Sequence, residues 1–287
     1  MKLARFGAPG SEKPGLIDAG GQLRDLSDHL SDITNSHLSD EALARIASIE
    51  PKSLQAIEGK VRFGPPISSP GKIICVGLNY TDHAKETGQQ IPAEPLLFLK
   101  GCSPTGPDDT IPLPPGSTHC DWEVELALVI GKQGLHIDRA QAMEHLAGYC
   151  VLNDFSERDF QSQRGGQWTK GKSFPGFAPL GPWLVTRDEV PAPGKLRLWT
   201  DVSGTRRQDG STQNLIFDVP TMISYISQVM VLDQGDIIAT GTPAGVGVGH
   251  KPQPLFLKDG DSVSLGIDGL GTQTQQIVSW EKRAGRQ

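Results

Sequence analysis

The stretch Asp121-Trp-Glu-Val-Glu-Leu126 places a carboxylate at every second position. Side chains alternate faces along a strand, so Asp121, Glu123 and Glu125 are expected to project together while Trp122, Val124 and Leu126 face a core. Three carboxylates on one face repel one another. Hard divalent cations such as Mg²⁺ take carboxylate oxygens and leave positions open for water and substrate. Taken alone, the stretch reads equally as a half-exposed strand with a solvated acidic face. A ligand from elsewhere would favour the cation, and Asp154 is the candidate, because it ends the apolar Tyr149-Cys-Val-Leu-Asn153 and opens the polar Phe155-Ser-Glu-Arg-Asp159. Its competing role is an ordinary helix N-cap.

His83 and Glu86 are three residues apart in a helical stretch and share a face. A carboxylate beside an imidazole fixes its tautomer and raises its basicity, as a general base for water requires. The same spacing also suits a surface ion pair, or two metal ligands. Arg158, Gln161 and Lys172 are polar groups close in sequence to Asp154, and as isolated residues they are as compatible with solvent as with a site. The glycine-rich Ala239-Thr-Gly-Thr-Pro-Ala-Gly-Val-Gly-Val-Gly249 lacks a GK[ST] ending, a GxGxxG order and a following apolar helix, so a nucleotide site is not indicated. It suits a tight turn, or a loop lending backbone N–H groups and Thr242 to a carboxylate.

These residues need elements to hold them. Strands are expected at Lys72 to Gly77, Leu96 to Leu99, Glu123 to Ile130, Tyr149 to Asn153, Leu196 to Val202, Gly235 to Ala239 and Ser262 to Ile267. Helices are expected near Asp40 to Ile49, over Asn79 to Gly88, from an Asp138 N-cap through Met143 and Leu146 to Gly148, and over Val219 to Val229. Strands outnumber helices too heavily for a regular alternating doubly wound sheet, which predicts an α+β, mainly β architecture. The loop Gly64-Pro-Pro-Ile-Ser-Ser-Pro-Gly71 separates a polar segment from the rest, predicting a small N-terminal domain over residues 1–68 and a catalytic domain over 69–287.

At 287 residues the chain can bury a substantial core, and its net charge of -6 argues against a nucleic-acid surface. Cys75, Cys102, Cys120 and Cys150 lack CxxC spacing and suit reduced core thiols. No apolar run is long enough to span a bilayer, and the N-terminus has no apolar leader, so a cytoplasmic protein without membrane partners is expected.

Taken together, CVGLNYTDHAKE at 75–86, PLLFLK at 95–100, DWEVELALVIGK at 121–132, NDFSERDFQ at 153–161, TKGKSF at 169–174 and GDIIATGTPAGVG at 235–247 resemble the fumarylacetoacetate hydrolase family. Six ordered blocks are far more specific than any one of them. The resemblance implies the family's layered β fold and a homodimer or higher homo-oligomer. It implies that Glu123, Glu125 and Asp154 hold Mg²⁺ or Mn²⁺, and that His83 and Glu86 form a dyad in the helix that closes over the site. Arg158, Gln161 and Lys172 would surround the reacting carbonyl, and Lys100 and Thr242 would bind substrate, Thr242 near its carboxylate. The founding hydrolases carry a further acidic ligand upstream that this chain lacks, so fumarylacetoacetate itself is not the expected substrate. The expected reaction is metal-dependent hydrolysis of a carbon–carbon bond in a 2,4-dioxo acid, such as a 2,4-diketo-3-deoxy rhamnonate or fuconate derivative, to pyruvate and a hydroxy acid. The alternatives are decarboxylation, tautomerisation or dehydration of a 2-oxo acid at the same metal, and a non-catalytic acid-binding protein.

Overall fold

The computed structural model describes residues 1–284. Its largest element is a mostly antiparallel sheet in the order Leu23–Asp25, Lys13–Ile17, Lys2–Phe6, Leu180–Thr186, Leu146–Asn153, Val124–Ile130, Ile237–Ala239, Ile73–Gly77 and Leu96–Lys100. Ile237–Ala239 and Ile73–Gly77 are a parallel pair. The central strand Val124–Ile130 is buried on both faces. On one face Val124, Leu126, Leu128 and Ile130 pack with Leu198, Val263 and Leu265 of a second sheet and with Met222, Ile223 and Ile226 of the helix Val219–Val229. On the other, Ala127 and Val129 join Leu43 and Ile46 of the helix Asp40–Ala47. The arrangement is layered and mainly β, as expected.

The residues before 69 contribute four strands to the main sheet: three form its edge, through Lys2–Phe6 paired with Leu180–Thr186, and Phe63–Gly64 also pairs with Lys2–Phe6. The second sheet runs in the order Thr205–Ser211, Arg197–Val202, Ser262–Ile267, Gly271–Val278 and Ile111–Pro112. Two of its strands carry little apolar signal. Gly271–Val278 instead turns Gln273 and Gln275 into the core, where the Gln273 amide donates to the Val151 and Gly181 carbonyls at 2.8 and 3.0 Å. A buried glutamine is tolerated because backbone acceptors satisfy it. All four cysteines are free. No helix among the described residues is long and apolar enough to cross a membrane.

The helix expected from Asp138 to Gly148 is corrected. Asp138 does cap, accepting from the Ala140 N–H at 2.8 Å, but it opens a 3₁₀ turn, Arg139–His145, which leads directly into the strand Leu146–Asn153. Apolar residues at helical spacing were equally compatible with entry into a strand, and pairing on both sides decided it. Gly148 is therefore no helix terminus. It sits at an irregularity in register, and a Cβ there would lie 2.2 Å from the Val185 carbonyl oxygen. Gly148→Ala is expected to destabilise the fold by about 2 kcal/mol or more, read as a lower urea midpoint at unchanged slope.

Candidate metal centre and cavity

Antiparallel pairing assembles the acidic cluster. Leu152 faces Glu125 and Asn153 faces Val124 across the two central strands, so the residue after Asn153 arrives beside Glu123 and Glu125. The junction is tied twice: the Asp154 N–H donates to the Glu123 carbonyl at 2.9 Å, and the Glu123 N–H donates to the Asn153 side-chain oxygen at 3.1 Å. Carboxylate oxygens of Glu123, Glu125 and Asp154 lie within 4.8 Å of one another, and all three residues are buried. Asp154 is thus placed in the cluster rather than as a helix cap.

Asp121 does not join them. The run breaks at Trp122 and Glu123, and Asp121 accepts instead from the Gly247 and Val248 N–H groups at 2.7 and 2.9 Å and from the Arg158 Nε at 2.8 Å. The alternation put three carboxylates on one face. The structure keeps two there and uses the third as a brace.

Lys172 reaches the cluster with its Nζ 2.7 Å from Glu123 and 2.8 Å from Asp154. Burial pushes the Glu123 carboxyl up, but Lys172 and Arg158 more than offset this and hold it at about 2. Burial lowers the Lys172 ammonium, and Asp154 and Glu123 outweigh that and raise it. Glu125 lacks a contacting cation among the described residues; burial raises its carboxyl well above the ordinary range, and the charges of Asp154 and Glu123 push it further. Four carboxylates, counting Asp121, face the three cations Lys100, Lys172 and Arg158, and Glu125 is the one left over, held by the Gly241 N–H at 2.8 Å. Three convergent hard oxygen donors with an uncompensated buried charge fit a divalent cation.

Lys100 is corrected. It does not line the cavity, and its buried ammonium sits on Asp154 and donates to the Phe155 carbonyl at 3.2 Å, so it orients a candidate ligand rather than meeting substrate. Arg158 lines the cavity with its Nε donating to Asp121, its Nη2 in ion-pair contact with Asp121 and Glu123, and its Nη1 donating to the Gln161 side-chain oxygen at 3.0 Å.

Glu123 and Glu125 of the cluster lie at the buried end of a cavity of about 330 Å³, which His83, Glu86, Gln161, Lys172 and Thr242 also line. The short helix Thr81–Thr87 ends at Gly88, whose φ of +68° is the left-handed geometry of a glycine cap. It brings the His83 Nδ1 to 3.3 Å from Glu86, and the Gly245 N–H donates to the other Glu86 oxygen at 2.9 Å. The glycine-rich loop does lend its N–H groups to carboxylates, but to Glu125, Glu86 and Asp121 of the chain itself. A side chain at Gly245 (φ +106°) would strike the Arg207 carbonyl at 1.9 Å, which is why the loop needs a glycine there. Thr242 donates its hydroxyl proton to the Val124 carbonyl at 2.9 Å and accepts from Gln208 at 2.8 Å, so that proton is committed and the expected donor to a substrate carboxylate is spent. Sequence reasoning missed Gln208, which is fully buried and also receives the Val124 N–H, and Trp168, which forms an apolar wall with Phe98. No local signal marks either, because both act through residues distant in sequence.

The family model for the fumarylacetoacetate hydrolase C-terminal domain matches residues 72–278. A Burkholderia cenocepacia protein that carries only a general designation as a hydrolase is 53% identical over 276 residues, covering 96% of this chain and 98% of that one. A maleylpyruvate hydrolase from Sphingobium sp. SYK-6, solved with manganese(II) and pyruvate, superposes with a TM-score of 0.80 at 31% identity, covering 97% of this chain and 99% of that one. A 2-hydroxyhepta-2,4-diene-1,7-dioate isomerase from Mycobacterium marinum gives 0.72 at 33% identity, covering 98% and 99%.

Proposed function

Because this chain belongs to the fumarylacetoacetate hydrolase family, we propose that it hydrolyses the C3–C4 bond of a 2,4-dioxo acid to pyruvate and a second carboxylic acid, with Mg²⁺ or Mn²⁺ held by Glu123, Glu125 and Asp154. The observation that carries the reading is the joint lining of one cavity by Glu123 and Glu125, two members of a convergent buried carboxylate triad completed by Asp154, and by a hydrogen-bonded His83–Glu86 pair. The neighbour that binds manganese and pyruvate supports the same head group. When bound, a divalent cation supplies a Lewis acid for the 1-carboxylate and 2-oxo oxygens of the substrate.

His83, oriented by Glu86, takes a proton from water as the water oxygen adds to C4. The third N–H of Lys172, beyond the two committed to Glu123 and Asp154, and the Gln161 amide meet the charge that develops on the 4-oxo oxygen. Arg158 holds Gln161 and Glu123 in place. As the C3–C4 bond breaks, its electron pair passes to C3, which takes up the proton held by His83, leaving pyruvate and the acid formed from C4. The tail beyond C4, given by the resemblance as that of a 2,4-diketo-3-deoxy sugar acid, runs toward the exposed Gln89 and Ser162.

The isomerase neighbour favours a second reading, proton transfer between C3 and a distal carbon without cleavage. Incubating the protein with 2,4-dioxo acids and Mg²⁺ or Mn²⁺ is expected to give equimolar pyruvate and a second acid. Release of CO₂, or a tautomer of unchanged mass, would replace hydrolysis with decarboxylation or isomerisation.

A further inference from the structure

Gln208 lies on Thr205–Ser211, at the edge of the second sheet, yet it is fully buried and every bonding position of its side-chain amide is used. The oxygen accepts from the Val124 N–H at 3.1 Å and from the Thr200 hydroxyl at 2.9 Å. The nitrogen donates to the Thr242 hydroxyl oxygen at 2.8 Å and to the Pro243 carbonyl at 2.9 Å. Thr242 in turn donates to the Val124 carbonyl at 2.9 Å, which closes a ring around one residue of the main sheet. That residue stands between Glu123 and Glu125, its N–H in the peptide joining it to one acid and its C=O in the peptide joining it to the other. The ring takes over where a strand ends. Ile237–Ala239 pairs with Ala127, Leu128 and Val129, and the Thr240 N–H takes the Leu126 carbonyl. Val124, two residues earlier, turns its N–H and C=O to the same edge, beyond the end of that strand. Buried backbone groups require partners, and two side chains supply them here.

We infer that Gln208 is a positioning residue for the acidic cluster: by gripping both peptides between Glu123 and Glu125 it sets the direction in which their carboxylates meet Asp154. The inference rests on the proposed function, in which these three residues hold the cation. The same amide reaches the glycine-rich loop through Pro243. That loop gives its Gly241 N–H to Glu125 at 2.8 Å and its Gly245 N–H to Glu86 at 2.9 Å. It also lies against the strand of Gln208, since a Cβ at Gly245 would stand 3.0 Å from the Gln208 Cα. One buried amide therefore fixes both the strand that carries two ligands and the loop that braces Glu125 and Glu86. A neutral group with two donors and two acceptor sites does this without adding charge beside a cluster that already carries a surplus carboxylate.

The test is calorimetry of Mg²⁺ and Mn²⁺ binding to wild type, Q208M, T242V and T200V, with metal-free melting temperatures alongside. Q208M keeps the reach of the side chain but removes its amide, and should weaken both cations about tenfold, the scale of a partner that orients a ligand. T242V opens the ring at the Val124 carbonyl and should act in the same direction. The double variant should bind no worse than Q208M, because the two side chains act as a unit. T200V removes the one bond of Gln208 that leads away from the cluster, so it should melt lower than wild type and keep wild-type affinity. The electron paramagnetic resonance spectrum of bound Mn²⁺, which reads the symmetry of the ligand set, should change in Q208M and not in T200V. Wild-type affinity and spectrum in Q208M, or in T242V should Q208M not fold, would overturn the role of Gln208 and leave the metal site standing. Equal losses of affinity in T200V would also overturn it, since affinity would then follow the stability of the second sheet. Failure of wild type to bind either cation would overturn this role and the proposed function together.

Discussion

His83→Ala is expected to lower kcat on a cleavable 2,4-dioxo acid by about 10²- to 10⁴-fold, the usual contribution of a general base. The imidazole pairs with Glu86 at 3.3 Å and lines the cavity without contacting the acidic cluster, so oxalate and metal affinity should be unchanged. Glu86→Gln should fall in the same direction but less far. The amide keeps a carbonyl oxygen for the Gly245 N–H, now at 2.9 Å, and an unoriented imidazole still accepts a proton. The double variant should be little worse than His83→Ala, because residues acting as a unit are not additive. Should His83→Ala turn over at the wild-type rate, water activation by this dyad is wrong, and isomerisation or decarboxylation relying on Lys172 becomes the better account.

Glu125→Gln has two expected effects of opposite sign. Glu125 is buried with no cation against it among the described residues, and its carboxyl is pushed well above its ordinary range by burial and by Asp154 and Glu123. A carboxyl raised in this way costs the metal-free fold stability as pH rises through the normal carboxylate range, since the unfolded chain ionises first. The neutral amide removes that cost and can still accept from the Gly241 N–H, so metal-free Glu125→Gln should melt higher than metal-free wild type at neutral pH. The same change removes a ligand charge and should weaken Mg²⁺ or Mn²⁺ binding about 100-fold or more, given that losing even a partner of a ligand costs 10- to 100-fold. Calorimetric Kd values and melting curves with and without metal check both. Wild-type metal affinity in the variant would remove Glu125 from the site. A lower metal-free melting point would mean that the Glu125 carboxyl stabilises the metal-free fold, against the cost argued from its burial.

Two of the clustered carboxylates were legible in the chain because their spacing is local. Glu123 and Glu125, two residues apart, stay on one face although the regular strand begins only at Val124, while the one-turn spacing of His83 and Glu86 is a property of any helix. The helix Val219–Val229 was legible for the same reason, its apolar face repeating at helical period. The ordered motif blocks pointed to the family, which the match over residues 72–278 bears out.

What the tertiary structure decided were pairings between distant segments. Leu146 to Gly148 join the strand expected over Tyr149 to Asn153 because two neighbours claim the hydrogen bonds, an outcome that apolar periodicity in that stretch cannot distinguish from a helix. Asp121 left the acidic face because the strand breaks at Trp122 and Glu123, which turns its carboxylate to the Gly247 and Val248 N–H groups, 126 and 127 residues away, and to Arg158. Lys100 and Thr242 carry residue types suited to binding substrate, yet the same polar atoms are consumed by Asp154 and by the Val124 carbonyl once the core closes around them. A polar side chain announces what it can bond to, and only packing determines which partner is in reach.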